Sequence, residues 1–347
     1  MEGKNKKGWW LAAAGIGAVA AYTALKKSRP DFDFQNRVVL ITGGSRGLGL
    51  VLARHLAERG ARIAICARNS EELLRAKEDL ARRGAEVFQF VCDVRNQSEV
   101  NQMIEQVRNH YGQIDVLVNN AGVIQVGPLE NQTQEDFETA MAIHFWGPYY
   151  TMNAVLPEMK RRGEGRIVNI SSIGGKMSVP HLAPYCASKF ALVGLSGAMR
   201  VELEKDNIYV TTVCPGLMRT GSHVNAIFKG QNEKEYAWFS IGNSLPVSSI
   251  SAERAAEQII EAARRGDAEL IISIQARLAA KANALFPELT AEISNLVNQL
   301  LPSAGGIGER HALGKDSTSY LSPSFLTALS DKESRPNNEL EPNEQLN

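Results

Sequence analysis

With 347 residues, 44% of them hydrophobic and 22% charged, the chain is long enough for one large globular domain carrying extensions. Lysine plus arginine and aspartate plus glutamate each number 38, so the formal net charge of zero excludes the electrostatic footprint of a nucleic-acid partner. Cys66, Cys92, Cys186 and Cys214 are far apart and form no C-x-x-C pair, which predicts reduced thiols in a reducing compartment and no metal site.

The first feature along the chain is an uncharged run, "WWLAAAGIGAVAAYTAL" (9–25), with Lys4, Lys6 and Lys7 before it and Lys26, Lys27 and Arg29 after it. This run only just reaches the length of a membrane span, and its alanines and glycines make it weakly apolar. The paired tryptophans suit the headgroup layer and the lysines suit lipid phosphate, so residues 1–30 are expected to be a retained membrane anchor with the remaining chain cytoplasmic. "AVA" (18–20) leaves a cleaved signal peptide as the rival, and a soluble alanine-rich helix is the plainer alternative.

Strand-like apolar runs then alternate with helix-length amphipathic ones. In order they are "RVVLITGG", 48–59, "ARIAICA", 70–83, "EVFQFVCDV", 97–111, "IDVLVNNAG", 134–161, "GRIVNIS", 185–205, "IYVTTVCPG", 252–265 and "ELIISI". Alternation of this kind, with strands continuously rather than alternately hydrophobic, predicts a parallel sheet covered by helices on both faces. Residues 31–275 are expected to form this domain, 276–302 a helical extension with an apolar face, and 303–347 a disordered tail rich in Gly, Ser, Pro, Asn and Glu.

Three motifs carry chemistry. "TGGSRGLG" (Thr42 to Gly49) directly follows the first strand and opens a helix, where glycines allow a tight turn and close approach of backbone to a pyrophosphate. "NNAG" (Asn119 to Gly122) follows the fourth strand. Tyr185 and Lys189 stand four apart in "PYCASKFAL", a spacing that puts both on one helix face.

With these motifs in this order, residues 35–275 resemble the short-chain dehydrogenase/reductase family. The resemblance implies a single Rossmann-type, doubly wound α/β domain, a homodimer or homotetramer, and a nicotinamide cofactor. On the family's pattern the cofactor-binding positions are Gly43, Ser45, Arg46, Gly47, Leu48, Gly49, Arg68, Asp93, Val94, Asn120, Ala121, Gly122, Tyr185, Lys189, Pro215, Gly216 and Thr220. Ser172, thirteen places before Tyr185, falls on the catalytic serine, with Ser171 as its neighbouring rival, while Asn169 is read as serving hydrogen bonds at the strand end. The resemblance makes Tyr185 the acid/base and gives Lys189 the tasks of lowering its pKa and holding the nicotinamide ribose. His144 stands where the family has asparagine and is expected to take part in the proton relay.

At the end of the second strand, where a member preferring NAD has an acid, this chain has Ala67 followed by Arg68, and Arg46 lies in the glycine turn. Two guanidinium groups converging there predict NADP(H). Ile227, Phe228, Trp238 and Phe239 fall in the segment that forms the family's substrate lid, so the expected reaction is hydride transfer to or from a hydrophobic ketone, aldehyde or alcohol. The alternative is a catalytically silent module that binds NADP(H) for structure or redox sensing.

Overall fold

The computed structural model describes residues 31–341 and Glu344. The expected membrane anchor, and the signal-peptide alternative to it, therefore lie outside the described residues. Among the described residues no helix is long and apolar enough to cross a membrane.

Seven parallel strands form the central sheet: β1 Val38–Thr42, β2 Arg62–Ala67, β3 Val87–Val91, β4 Val116–Asn119, β5 Gly165–Ile170, β6 Ile208–Pro215 and β7 Glu269–Ile272. Their order is β7-β6-β5-β4-β1-β2-β3, which reverses direction beside β1, the place where doubly wound sheets open a ligand crevice at their C-terminal edge. Register is fixed across that point: Leu40 of β1 pairs with Ala64 of β2 on one side and Leu117 of β4 on the other.

Helices α1 Gly47–Ala57, α2 Ser70–Arg82, α3 Gln97–Tyr111, α4 Gln134–Met141, α5 Gly147–Arg162, α6 Ala183–Leu203, α7 Asn232–Ser244 and α8 Ala252–Arg265 fill the intervals. Side chains alternate across a strand, so β1 sends Val39 and Ile41 to a core shared with Leu50, Leu73 and Ile259, and Val38 and Leu40 to a second core with Met103, Val155 and Leu203. A strand buried on both faces has no place for polar alternation, and all five residues of β1 are buried. Asn69 and Asn96 cap α2 and α3 by accepting hydrogen bonds from the first-turn backbone N–H groups.

Residues 134–161, expected as one helix, are two joined by a wide π-helical turn, Ala142–Trp146, which carries His144 inward. After β7 come α9 Ile274–Leu285 and α10 Pro287–Asn298. No residue of α10 is buried, and Leu289, Ile293 and Leu296 are exposed.

The tail expected to be disordered is placed against the domain. Ala312–Leu313 pairs antiparallel with Ile227–Phe228, which itself pairs with Gln125–Val126, and α11 spans Ala328–Ser334. Polar rather than apolar groups make this docking. Ser317, Ser322, Thr327, Ser330, Ser334 and Asn337 are buried, and they bond to the lid helix and its flanking turns, as in Ser244 Oγ to the Thr327 carbonyl at 2.6 Å. Composition predicted disorder because it measures only apolar burial, whereas these hydroxyls and amides satisfy buried polar groups directly.

Candidate active site

The crevice at the C-terminal edge of the sheet begins with the glycine turn between β1 and α1. Gly43 has φ +64°, and a Cβ on it would lie 2.8 Å from the Ala121 Cα; one on Gly49 would lie 2.1 Å from the Gly43 carbonyl. Only glycine permits these backbones to meet. Asn120 locks the junction, its side-chain amide donating to the carbonyls of Thr42 (3.1 Å) and Gly43 (2.9 Å). Thr42 Oγ1 accepts from the backbone N–H groups of Asn120 and Ala121, each at 3.1 Å.

Arg46 and Ser45 both turn to α2: Arg46 pairs with Glu72 at 2.9 Å, and Ser45 Oγ donates to Glu72 at 3.0 Å. Arg46 also meets Glu339 of the tail at 3.4 Å. Arg68 is exposed and lies near Asp93. Burial raises the Asp93 carboxyl, but hydrogen bonds from Arg95 and the charges of Arg95 and Arg68 bring it below the ordinary carboxylate value. The two arginines expected to converge are thus differently engaged, one tied by carboxylates and the other open to solvent. Leu48 and Val94 are buried beneath this surface.

At the other end of the crevice Ser172 leaves β5 in extended conformation, its hydroxyl accepts from the Gly174 N–H at 3.0 Å, and it lies near enough to Tyr185 to favour the ionised phenol. Ser171 points away and donates to the Lys189 carbonyl at 3.1 Å, which separates the two serines into a structural one and one facing Tyr185. Lys189, also on α6, is buried; its Nζ donates to the Ile170 carbonyl at 2.9 Å and lies 5.6 Å from the centre of the Tyr185 ring. Asn169 joins Asn119 and Ser196 in a buried network at 2.8 and 3.0 Å, a side-chain counterpart of the hydrogen-bonding task expected of it. Pro215 ends β6, Gly216 N–H donates to the Ile272 carbonyl at 3.2 Å, and Thr220 Oγ1 bonds Ser222 at 2.8 Å in the turn beyond.

Burial pushes the Tyr185 hydroxyl up to about 12, against the opposing effect of Ser172, and pushes Lys189 down to about 7. Lowering of the Tyr185 pKa was expected from Lys189 acting together with the positive nicotinamide of an oxidised cofactor. An ammonium that is itself disfavoured by burial offers little charge to stabilise a phenolate.

The sequence profile described as short chain dehydrogenase matches residues 37–229. The chain belongs to the short-chain dehydrogenase family. It is 38% identical over 206 residues to the 3-ketodihydrosphingosine reductase of Bacteroides thetaiotaomicron, covering 58% of this chain and 72% of that protein. It is 33% identical over 260 residues to the uncharacterized oxidoreductase YxnA of Bacillus subtilis, covering 74% of this chain and 70% of that one. Among solved structures, a tryptophan variant of actinorhodin polyketide ketoreductase with NADPH superposes with a TM-score of 0.61 at 32% identity, covering 68% of this chain and 95% of that one. Membership makes this chain an oxidoreductase of the nicotinamide-dependent class.

For this short-chain dehydrogenase His144 is the departure to explain. Its Nε2 accepts from the Val123 N–H at 3.1 Å, so the proton resides on Nδ1, which bonds Ser188 Oγ at 2.7 Å; Ser188 in turn donates to the Tyr185 carbonyl at 2.8 Å. The ring stands edge-on to the Tyr185 ring at 5.5 Å. Burial, with the nearby Lys189 charge, holds the imidazole well below its ordinary value and therefore neutral. Both nitrogens are hydrogen-bonded, and through them the side chain joins α6 to the Ala121–Val123 loop.

Beside Tyr185 lies a third apolar cluster, formed by Val126, Leu182, Phe228, Tyr236 and Phe239 with Trp238 at its margin. Phe228 and Phe239 are core of the lid rather than free pocket walls. His181 and Trp238 both bond the buried carboxylate of Glu235, at 2.8 and 2.6 Å, which fixes the lid helix to the loop before α6. Asn337, Asn338 and Glu339, which reach the glycine turn, went unseen in the sequence. They carry no periodicity and no motif, and their only signal is an amide-rich stretch next to acids.

Proposed function

We propose that this short-chain dehydrogenase is an NADP(H)-dependent carbonyl reductase, or alcohol dehydrogenase in the reverse direction, acting on a hydrophobic substrate. The observation that carries this reading is the placement of Tyr185 and the buried Lys189 on one helix, with Lys189 Nζ 5.6 Å from the Tyr185 ring centre, in a chain whose glycine turn Cβ atoms would close. Support for NADP(H) comes from Ala67 in place of an acid, with Arg68 exposed at that strand end and Arg46 in the turn. The apolar cluster flanking Tyr185 supports a hydrophobic substrate.

The residues fit a dinucleotide: the helix N-terminus at Gly47 suits a pyrophosphate, and on the family's pattern Gly216 and Thr220 take the nicotinamide end. When bound, the nicotinamide supplies the hydride for reduction or accepts it in oxidation. Tyr185, protonated across the neutral range at a pKa of about 12, is in the form that donates a proton to the substrate oxygen. Ser172 hydrogen-bonds that same oxygen and steadies the charge developing on it. Lys189 takes the ribose hydroxyls on the family's pattern, and its shift to about 7 leaves it able to exchange a proton near neutrality.

We infer also that residues 9–25 hold the enzyme to a membrane, and that α6, with Phe190 and Val201 exposed, is a surface for self-association. Incubating the full chain with a panel of hydrophobic ketones and either NADPH or NADH, while following absorbance of the reduced cofactor, tests the main reading. Consumption of NADPH in preference to NADH is expected. Tight dinucleotide binding with no consumption on any carbonyl would instead indicate the silent module.

A further inference from the structure

The end of the tail crosses the crevice at the groups best suited to phosphate. Gly47 N–H, at the start of α1, donates to the Asn337 carbonyl at 2.9 Å. The Glu339 carboxylate lies against Arg46, and its Oε1 is 2.5 Å from where a Cβ on Gly47 would sit. Asn338 Nδ2 donates to the carbonyls of Ser45 (2.8 Å) and Glu72 (3.0 Å), and Asn225 Nδ2 donates to the Glu339 carbonyl and Oε2, each at 2.7 Å. Across the crevice, Ser334 sits on Gly221, and Asn337 Nδ2 donates to the Thr220 carbonyl at 3.3 Å. The segment thus joins the glycine turn to the Thr220–Gly221 turn.

A carbonyl oxygen on a helix-terminal N–H and a carboxylate on a guanidinium present the same chemistry as a pyrophosphate oxygen and a ribose phosphate. We propose that residues 334–340 form a strap that competes with the cofactor, Asn337 standing in for the pyrophosphate at Gly47 and Glu339 for the 2′-phosphate at Arg46. This inference rests on the NADP(H) reading given above.

The strap has a firm root. His223, on the Thr220–Asn225 turn, bonds Asp331 at 2.8 Å and Ser330 at 3.1 Å, so α11 stays docked while the chain beyond it moves. What must be released is a set of polar contacts: Arg54 to the Pro336 carbonyl (2.7 Å), Arg75 to Asn338 (2.8 Å), and those at Ser45, Gly47 and Asn225. Two anions cannot share Arg46 and the helix terminus without mutual repulsion. Glu339 is only 3% exposed, which leaves no solvent layer to screen it. Glu339 therefore disfavours NADPH more than NADH, and occupancy of the crevice by NADPH must expel the strap.

The test uses the full chain, titrated with NADPH and with NADH by cofactor fluorescence, alongside Glu339→Gln and Asn338→Ala. Glu339→Gln is expected to tighten NADPH about tenfold and NADH by less, whereas Asn338→Ala, which loosens the whole strap, is expected to tighten both. Hydrogen exchange on the unaltered chain gives a readout independent of the variants' folding: NADPH should raise exchange of the 335–340 amides. Unchanged or weaker NADPH binding in Glu339→Gln, or exchange at 335–340 that stays constant or falls, overturns the competition. Failure of NADPH to bind to any of these chains while NADH binds defeats the NADP(H) reading itself, and the strap inference with it.

Discussion

Replacing His144 by alanine removes the acceptor of the half-buried Val123 N–H and the partner of the buried Ser188 hydroxyl. A buried donor left unpaired costs about 1–3 kcal/mol, and the space left by an imidazole adds to this, so we expect a loss of about 2–4 kcal/mol in urea unfolding at pH 7.5. His144→Asn offers both a carbonyl and an amide to the same partners and should recover more than half of the loss. The imidazole also makes stability depend on pH. It stays neutral in the folded chain well below its ordinary value of 6.5, so as pH falls below 6.5 the unfolded chain binds a proton that the folded one does not. Stability should then decline by up to about 1.4 kcal/mol per pH unit, and the slope should shrink in His144→Asn. A His144→Ala chain destabilised by less than about 1 kcal/mol, or a shifted pH–rate profile in a fully stable His144→Asn, would refute the positioning account and favour a relay.

Two further outcomes are open to simple measurement. Arg68→Ala should weaken NADPH by about tenfold in a binding titration and leave NADH nearly untouched; equal losses would make Arg68 structural. The N-terminal run should remain uncleaved and hold the chain in the membrane fraction, and a chain starting at Asp31 should be soluble and active, because β1 begins only at Val38. Mass spectrometry that finds a mature terminus near Ala21, or an intact chain wholly in the soluble fraction, counts against the anchor.

The alternation of helix and strand was legible because the central strands of the sheet are buried on two faces and the covering helices on one, which imprints different periods on the sequence. The glycine turn and the Tyr185–Lys189 face were legible for the same local reason: both are set by spacing within one element. The hydrogen-bond partners of His144 were not legible, because Val123 and Ser188 are brought to it by a π-helical turn that no spacing announces. Arg46 was expected to converge with Arg68 on one phosphate, but the carboxylates that engage it come from α2 and from a stretch nearly three hundred residues onward. The tail was missed because its order comes from paired hydroxyls and amides. Apolar content, the quantity that composition reports, has little part in it.

On the proposed function Tyr185 is the group that passes the proton, and the variant that removes only its hydroxyl tests this most directly. Tyr185→Phe, compared with the unaltered chain for NADPH-dependent carbonyl reduction and for NADPH affinity, should lose several orders of magnitude in kcat while its NADPH dissociation constant stays within about tenfold. Turnover retained in a clean Tyr185→Phe preparation would contradict the assignment.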